Sequence, residues 1–411
     1  MKKSKTTIIA LCVAAYMVSY LCRTNLSVAM DALMEEISIT RSQAGLIGTL
    51  YFWTYAGGQL LAGSLCTLID PKKVVSAGLV LTVACNLFIG FSGVYAAVLI
   101  LWMLNGLALA LFWPPILQIA TNWTTEQEYT RISILLNLPT TVGFLVAWLG
   151  LGLLSHWVRW NWIFWLPAGV AVLFLLVWEK WMQSAPAAAK AAQHTKVSTK
   201  TEENVEKPSI WVCLLSMAML VYAVIVVFQG CIKESINLWA PTLLAEIAPA
   251  ENLFLLSGFT AIIPVCSTVG LLLTGWLVKK FAQRQQQAML ALLGLGTVAG
   301  CLMVLVQKNF MAVALCMGVL LAVVYGVNTI LTTLLPLQFA RTGNSGAMSS
   351  VFNFLSYLGA ALGGIAAGTV SELWNWSAVY FMWAVLAGGG FVLLFLYGVL
   401  REISFKGIFT K

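Results

Sequence analysis

Twelve apolar runs follow one another along this chain of 411 residues. Each holds at least about 18 residues, the number a helix needs to cross the hydrocarbon core of a bilayer. The chain is 60% hydrophobic and only 9% charged, and a soluble domain could not bury that much apolar surface. The sequence therefore predicts an all-α membrane protein with twelve transmembrane helices. The runs lie at residues 7–33, 44–69, 74–93, 95–121, 132–155, 162–181, 209–245, 252–278, 287–306, 310–339, 345–370 and 376–400.

The basic residues predict the orientation of these helices. With the amino terminus inside, 18 of the 23 Lys and Arg residues fall in the inner segments, and only Arg41, Arg159 and Lys308 fall in the outer loops. Inner segments of membrane proteins carry this excess of positive charge. We therefore expect a multi-pass protein of the plasma membrane with both termini in the cytoplasm. Topology explains the net charge of +8, so no nucleic-acid partner is expected.

Residues 182–208 interrupt the apolar pattern. They are rich in Ala, Lys, Thr, Glu and Ser with mixed charge, which is typical of a flexible cytoplasmic linker. The linker separates an amino-terminal six-helix bundle at 1–181 from a carboxy-terminal six-helix bundle with a cytoplasmic tail at 209–411. A Trp-Asn-Trp triplet precedes the last helix of each half, at 160–162 and 374–376. This repetition predicts two pseudo-symmetric bundles.

Two cations interrupt corresponding apolar runs, Arg23 in the first and Lys233 in the seventh. A charge in the middle of a membrane helix costs at least about 2.5–3.5 kcal/mol, and such a residue usually faces a water-filled cavity. A cation there suits an anion, and a guanidinium matches phosphate or carboxylate. Each cation has an alternative position at the outer interface, because a full span already precedes it. Glu234, beside Lys233, could pair locally, contact another helix or carry a proton.

Further polar and aromatic residues lie within the apolar runs. Gln59 is suited to bind a ligand or a neighbouring helix, and Trp113 stands before two prolines that predict a bend. The nine cysteines are scattered singly, so we expect neither a metal site nor a cofactor.

Four segments of this chain carry a resemblance to a known family. They are Tyr20-Leu-Cys-Arg-Thr-Asn25, Asn105-Gly106 with Trp113-Pro-Pro115, residues 228–242 around Lys233, and residues 356–364. In these segments the chain resembles the organophosphate:phosphate antiporter group of the major facilitator superfamily, which includes the bacterial glycerol phosphate and hexose phosphate transporters. The resemblance implies two six-helix bundles that hold a substrate site near the bilayer midplane.

The resemblance also implies roles for single residues. Arg23 matches the first-helix arginine that meets the substrate phosphate, and Lys233 falls where the family has a seventh-helix arginine. Gln59 replaces a lysine of the glycerol phosphate carrier and Thr140 a histidine, which weakens phosphate recognition. The remaining positions implied to bind substrate are Tyr16, Tyr20, Tyr55, Trp113, Tyr325 and Tyr357.

These features predict a secondary active transporter of organic anions and not an enzyme. The favoured function is exchange of a phosphorylated sugar or glycerol phosphate for inorganic phosphate by alternating access. One alternative is a symporter of sugar acids or other carboxylates coupled to protons or another cation, with Glu234 as the coupling residue. A minor alternative is a membrane sensor that does not transport. We expect a monomer whose partners are the lipid bilayer, a small anion, and phosphate or protons.

Overall fold

The computed structural model describes residues 4–124, 128–183, 217–248, 253–280, 285–337 and 345–409, and these residues are helical with short connections. The first eight helices are α1 (Lys5–Glu36), α2 (Arg41–Leu68), α3 (Pro71–Phe91), α4 (Tyr95–Ala110), α5 (Trp113–Trp123), α6 (Tyr129–Leu145), α7 (Gly152–Leu154) and α8 (Trp162–Trp181). The next seven are α9 (Met217–Ile247), α10 (Leu253–Lys280), α11 (Gln285–Leu305), α12 (Phe310–Thr329), α13 (Leu335–Leu337), α14 (Ser345–Leu373) and α15 (Trp376–Phe409). Short π-helical segments, Val146–Leu151 and Ile330–Leu334, precede α7 and α13.

Wherever the structure describes them, the twelve predicted apolar runs are helical, apart from a few residues at the ends of runs and the break at 111–112. Within the described residues, ten helices are long and apolar enough to cross a membrane, and Leu138–Leu154 forms a shorter apolar helix. The remaining run lies in α2, which is 28 residues long. The predicted all-α membrane fold is therefore confirmed.

Local sequence signals explain where several helices begin. Asp70 caps α3 by accepting a hydrogen bond from the Lys72 amide at 3.0 Å, and Pro71 occupies the first turn, where its missing N–H costs nothing. The Trp-Pro-Pro segment interrupts the fourth apolar run, since α4 ends at Ala110 and α5 begins at Trp113. The prolines stand at the start of this new helix, where they are tolerated.

The described helices belong to two compact units. The first comprises Met1–Ile39 and Leu50–Glu206, and the second comprises Thr40–Thr49 and Lys207–Lys411. Helix α2 therefore contributes its first turns to the second unit and its remainder to the first. Apart from Met182 and Gln183, the predicted linker 182–208 lies outside the described residues, and the division of the chain at this linker stays a prediction.

A buried set of amide and hydroxyl side chains fixes α1 inside the first unit. The Asn105 amide donates to the carbonyl of Cys22 at 3.0 Å and its oxygen accepts from the Thr82 hydroxyl at 2.6 Å. The Asn25 amide donates to the side-chain oxygen of Asn86 at 2.7 Å. All three asparagines and Thr82 are fully buried. These bonds attach α1 to α3 and α4 immediately before and after Arg23.

Closely packed glycines join α9 and α14 inside the second unit. A Cβ atom added at Gly359 would lie 2.1 Å from the carbonyl oxygen of Val227, and one added at Gly363 would lie 2.2 Å from that of Cys231. Small residues allow such close approach of helix backbones in membranes. The seam holds the middle of α9, where Lys233 lies, against α14.

The first turns of α2 are held within the second unit by charged groups. Arg41 forms an ion pair with Glu246 at the end of α9, and its guanidinium carbon lies 5.1 Å from the ring centroid of Trp376. The amide of Ser42 donates to a carboxylate oxygen of Glu372 at 2.8 Å. These contacts connect α2 to α9, α14 and α15.

Candidate functional site

Arg23 lies among four aromatic rings in the first unit. Its guanidinium carbon is 5.2 Å from the ring centroid of Tyr55, 5.5 Å from Phe52, 5.6 Å from Tyr20 and 5.8 Å from Tyr51. Each ring is within the range at which a cation is attracted by the aromatic quadrupole, an interaction of about 0.5–1 kcal/mol when exposed and about 2 kcal/mol or more when desolvated. We call these five residues the arginine cluster.

The helix around Arg23 explains how a charge is placed there. α1 is 32 residues long and continues to Glu36, so about 20 Å of helix follows Arg23. Arg23 therefore lies within α1, thirteen residues before its end at Glu36. Tyr20, one turn earlier on α1, reaches the same cluster because residues three apart share a helix face.

The other predicted residues of this unit extend the arginine cluster. The Tyr16 ring centroid is 4.9 Å from that of Trp113 and 5.2 Å from that of Tyr20. The Gln59 amide donates to the Tyr55 hydroxyl at 3.0 Å within α2. These contacts arrange tyrosine rings and one amide next to the guanidinium.

Thr140 belongs to α6, which passes directly beside the arginine cluster. A Cβ atom added at Gly143 would lie 2.4 Å from the Cβ of Tyr20, so the two helices touch at this point. Thr140 precedes Gly143 by one turn and is partly buried. The structure therefore connects six of the seven predicted residues of the first unit through contacts on α1, α2 and α5, and α6, which carries Thr140, packs against α1 at Tyr20.

Tyr51 and Phe52 contact Arg23 although the sequence did not select them. Tyr51 stands one turn before Tyr55 on α2, and their rings stack with centroids 5.9 Å apart. The spacing of four residues is the signal that could have found Tyr51, because it places the two rings on one helix face. Phe52 carries no such signal.

Lys233 and Glu234 form a buried ion pair in the second unit. The Lys233 ammonium lies 3.3 Å from the nearer Glu234 carboxylate oxygen, and the two residues are 8% and 4% exposed. The Asn237 amide donates to the other carboxylate oxygen at 3.1 Å and to the Tyr325 hydroxyl at 3.5 Å. The ammonium is 5.6 Å from the Tyr325 ring centroid. We call these four residues the lysine cluster.

Lys233 lies within α9, fourteen residues before its end at Ile247, and it is buried within the unit. Asn237 was missed by the sequence reasoning, although its spacing of four residues from Lys233 places both on one face of α9. Of the three roles considered for Glu234, the local pair with Lys233 is present in the structure.

Gln229, Asn328 and Ser356 form an amide cluster beside the lysine cluster. The Gln229 amide donates to the Ser356 hydroxyl at 2.8 Å and to the Asn328 side-chain oxygen at 3.0 Å. The Ser356 hydroxyl lies 3.3 Å from the same Asn328 oxygen. Tyr357, the last predicted site residue, follows Ser356 on α14 and is partly buried. The predicted convergence of Arg23 and Lys233 on one pocket stays a prediction.

This fold and the apolar helices match a known family. Residues 12–364 fit the family model described as the Major Facilitator Superfamily. The chain belongs to this superfamily. It is accordingly a multi-pass membrane protein of a class that comprises transporters and not enzymes. The resemblance to the organophosphate:phosphate antiporter group is confirmed by the curated relatives.

Two relatives and one solved structure illustrate this assignment. A probable hexose phosphate transport protein of Chlamydia pneumoniae is 22% identical over 412 residues, which cover 92% of this chain and 87% of the relative. The membrane sensor protein UhpC of Salmonella typhimurium is 24% identical over 405 residues, covering 92% and 88%. The crystal structure of the nucleoside transporter NupG is similar in fold, with a TM-score of 0.75 at 13% identity, covering 96% and 99%.

Proposed function

We propose that this superfamily member exchanges a phosphorylated sugar or glycerol phosphate for inorganic phosphate by alternating access. The observation that carries the proposal is the arginine cluster. Arg23 lies within α1, and its guanidinium is surrounded by aromatic rings. A guanidinium can bind a planar or tetrahedral oxyanion. Hexose phosphate is named as the cargo of the Chlamydia pneumoniae relative.

The chemistry of Arg23 suits a phosphate group. Its fork of donors can form two parallel hydrogen bonds to phosphate oxygens, and these bonds are strengthened by charge. Tyrosine hydroxyls nearby, from Tyr20, Tyr51 and Tyr55, are able to donate to the remaining oxygens. Inorganic phosphate presents the same oxygens as a phosphate ester, so the two compete for one site. Competition for a single site is what obligatory exchange requires.

We propose that Lys233 is the second cationic contact. It would meet the substrate from the second unit and thereby couple anion binding to the movement of the two bundles. Tyr325 and Tyr357 would contribute ring surface and hydroxyl groups beside it. We further propose that the protein acts as a monomer in the plasma membrane with both termini in the cytoplasm.

A second candidate function follows from the ion pair of Lys233 with Glu234. A bound anion must compete with the Glu234 carboxylate for the ammonium, and protonation of Glu234 would release Lys233 for the anion. The pair therefore also suits symport of a sugar acid or other carboxylate with a proton. In that case uptake is driven by a pH gradient and needs no internal phosphate.

Counterflow in proteoliposomes separates these functions. Vesicles are loaded with inorganic phosphate or with buffer and are then given labelled sugar phosphates or sugar acids, with and without a pH gradient. Exchange predicts uptake of sugar phosphate only into phosphate-loaded vesicles, independent of the gradient. Uptake of sugar acid that needs the gradient and not internal phosphate would replace exchange by symport. Binding without uptake under any condition would favour a sensor, as UhpC is named.

A further inference from the structure

The amide cluster contains a polar atom that its own hydrogen bonds do not explain. Gln229 is 1% exposed, and its side-chain oxygen has no hydrogen-bond partner among the described residues. A buried acceptor without a partner is unfavourable, and it gains a hydrogen bond when a donor reaches it. The free oxygen therefore indicates that the cluster accepts a donor from outside the protein.

The three residues of the amide cluster form a layer one helical turn away from the lysine cluster. Gln229 precedes Lys233 by four residues on α9, and Asn328 follows Tyr325 by three residues on α12. One turn of helix corresponds to about 5.4 Å. If the anionic group of a substrate binds at Lys233, the uncharged part of the same molecule would lie about one helical turn away, next to Gln229, Asn328 and Ser356.

The chemistry of the amide cluster suits hydroxyl groups. The Gln229 oxygen accepts a hydrogen bond, and the Asn328 amide nitrogen, on a side chain that is partly exposed, donates one. A hydroxyl group can donate to the first and accept from the second. No charge is present among these three side chains, so the layer does not compete with Lys233 for the anionic group.

We propose that Gln229, Asn328 and Ser356 form a subsite for the hydroxyl groups of the substrate. This inference rests on the proposed function and deepens it by naming the residues that recognise the hydroxyl groups of the transported phosphate ester. Gln229 supplies the acceptor, Asn328 supplies the donor, and Ser356 keeps the Gln229 amide in place by accepting its hydrogen bond at 2.8 Å.

A matched pair of ligands tests the subsite. Glycerol phosphate and propyl phosphate share the phosphate group and the three-carbon chain, and they differ in their hydroxyl groups. The measurement is the inhibition constant of each ester against phosphate self-exchange in proteoliposomes. We expect the wild-type protein to prefer glycerol phosphate by about tenfold, the value of one or two well-placed hydrogen bonds.

Two variants and one control apply this test to the amide cluster. Gln229→Met keeps the side-chain length but removes the amide, and Ser356→Ala removes the hydroxyl that holds it. Both should reduce the preference for glycerol phosphate to about threefold or less, since a hydrogen-bonding site discriminates through its polar groups. Thr297→Val, on α11, removes a hydroxyl that donates to the Leu293 carbonyl of its own helix, and it should retain the wild-type ratio.

The possible outcomes distinguish the subsite from the proposed function. A wild-type ratio in Gln229→Met or, if that variant does not reach the bilayer, in Ser356→Ala would overturn the subsite. Equal inhibition by the two esters in the wild-type protein would also overturn the subsite. If that protein still exchanges phosphate, the proposed transport function remains intact. If the wild-type protein shows no phosphate self-exchange, the proposed function and the subsite are both wrong.

Discussion

The Lys233 ammonium lies 3.3 Å from the Glu234 carboxylate although the two residues are neighbours on one helix. Neighbouring positions on a helix point about 100° apart, so both long side chains must turn toward each other around α9. Both are buried, and the pair carries no net charge. The second unit therefore offers an ammonium that is already compensated before any anion arrives.

Removing the carboxylate should change both stability and ligand response. We expect Glu234→Gln to lower the melting temperature of the purified protein, because loss of one partner of a buried pair costs about 3–5 kcal/mol. Phosphate should restore more stability to this variant than to the wild type, because the anion replaces the missing charge. Thermal unfolding with and without phosphate measures both effects.

A matched control for this prediction is Glu179→Gln. Glu179 pairs with Lys72 at 3.1 Å but is half exposed, and surface pairs of this kind contribute about 0–1 kcal/mol. Its substitution should change neither the melting temperature nor the phosphate response by much. If Glu234→Gln behaves like Glu179→Gln, the pair with Lys233 has no role in anion binding.

The sequence predicted the helices and selected Arg23 because both depend on local patterns. Hydropathy alone places the twelve apolar runs, and the cost of a buried charge selects Arg23. The positions implied by family resemblance, such as Tyr20 and Tyr55, do contact Arg23 in the structure. Tyr20 reaches Arg23 through the three-residue spacing on α1, whereas Tyr55 reaches it from α2.

What the sequence could not predict depends on several helices at once. Gln229, Asn328 and Ser356 are far apart in the chain, and single polar residues in apolar runs do not show which of them meet. Phe52 contacts Arg23 because of the way α2 is rotated about its own axis. The position of Phe52 in the sequence does not indicate that rotation. The pairing of Lys233 with Glu234 depends on side-chain conformations that helical periodicity does not determine.

The buried asparagines around α1 predict a positioning role. Asn105→Ala should weaken substrate binding by changing the position of Arg23 on α1. The reason is that the Asn105 amide donates to the carbonyl of Cys22, the residue before Arg23. Hydrogen bonds between membrane helices are worth about 0.6 kcal/mol on average and at most about 1.7 kcal/mol, so the Michaelis constant should rise by about threefold and at most about sixteenfold. Initial uptake rates over a range of substrate concentrations measure this effect.

Asn353→Ala provides the control for the positioning role. The Asn353 amide donates to the Ser349 carbonyl of its own helix at 2.9 Å and makes no link to α1 among the described contacts. It should leave the Michaelis constant unchanged. A lower maximal rate with an unchanged Michaelis constant in Asn105→Ala would show that Asn105 affects only the amount of folded protein.

The glycine seam between α9 and α14 predicts a strong sensitivity to added volume. Gly363→Ala would place a methyl group 2.2 Å from the Cys231 carbonyl oxygen, so the helices must separate. Overpacking of this kind costs about 1–3 kcal/mol or more. The melting temperature should fall clearly, as measured by thermal unfolding of the purified protein.

Gly275→Ala is the matched control for the seam. Within the described structure, no atom outside its own helix backbone lies within 4 Å of a Cβ atom added at Gly275. The same chemical change should therefore leave the melting temperature unchanged or raise it slightly, because alanine favours the helix. Equal effects of the two substitutions would contradict the close packing of α9 on α14.

Phosphate self-exchange by Arg23 variants shows whether Arg23 binds the transported anion. Proteoliposomes with equal amounts of wild type, Arg23→Lys or Arg23→Gln are loaded with labelled phosphate, and its release is followed after external phosphate is added. We expect rapid release by the wild type, release reduced at least about tenfold in Arg23→Lys because a point charge replaces a bidentate fork, and none in Arg23→Gln. Release by Arg23→Gln at the wild-type rate would contradict the role of Arg23 as the anion-binding residue.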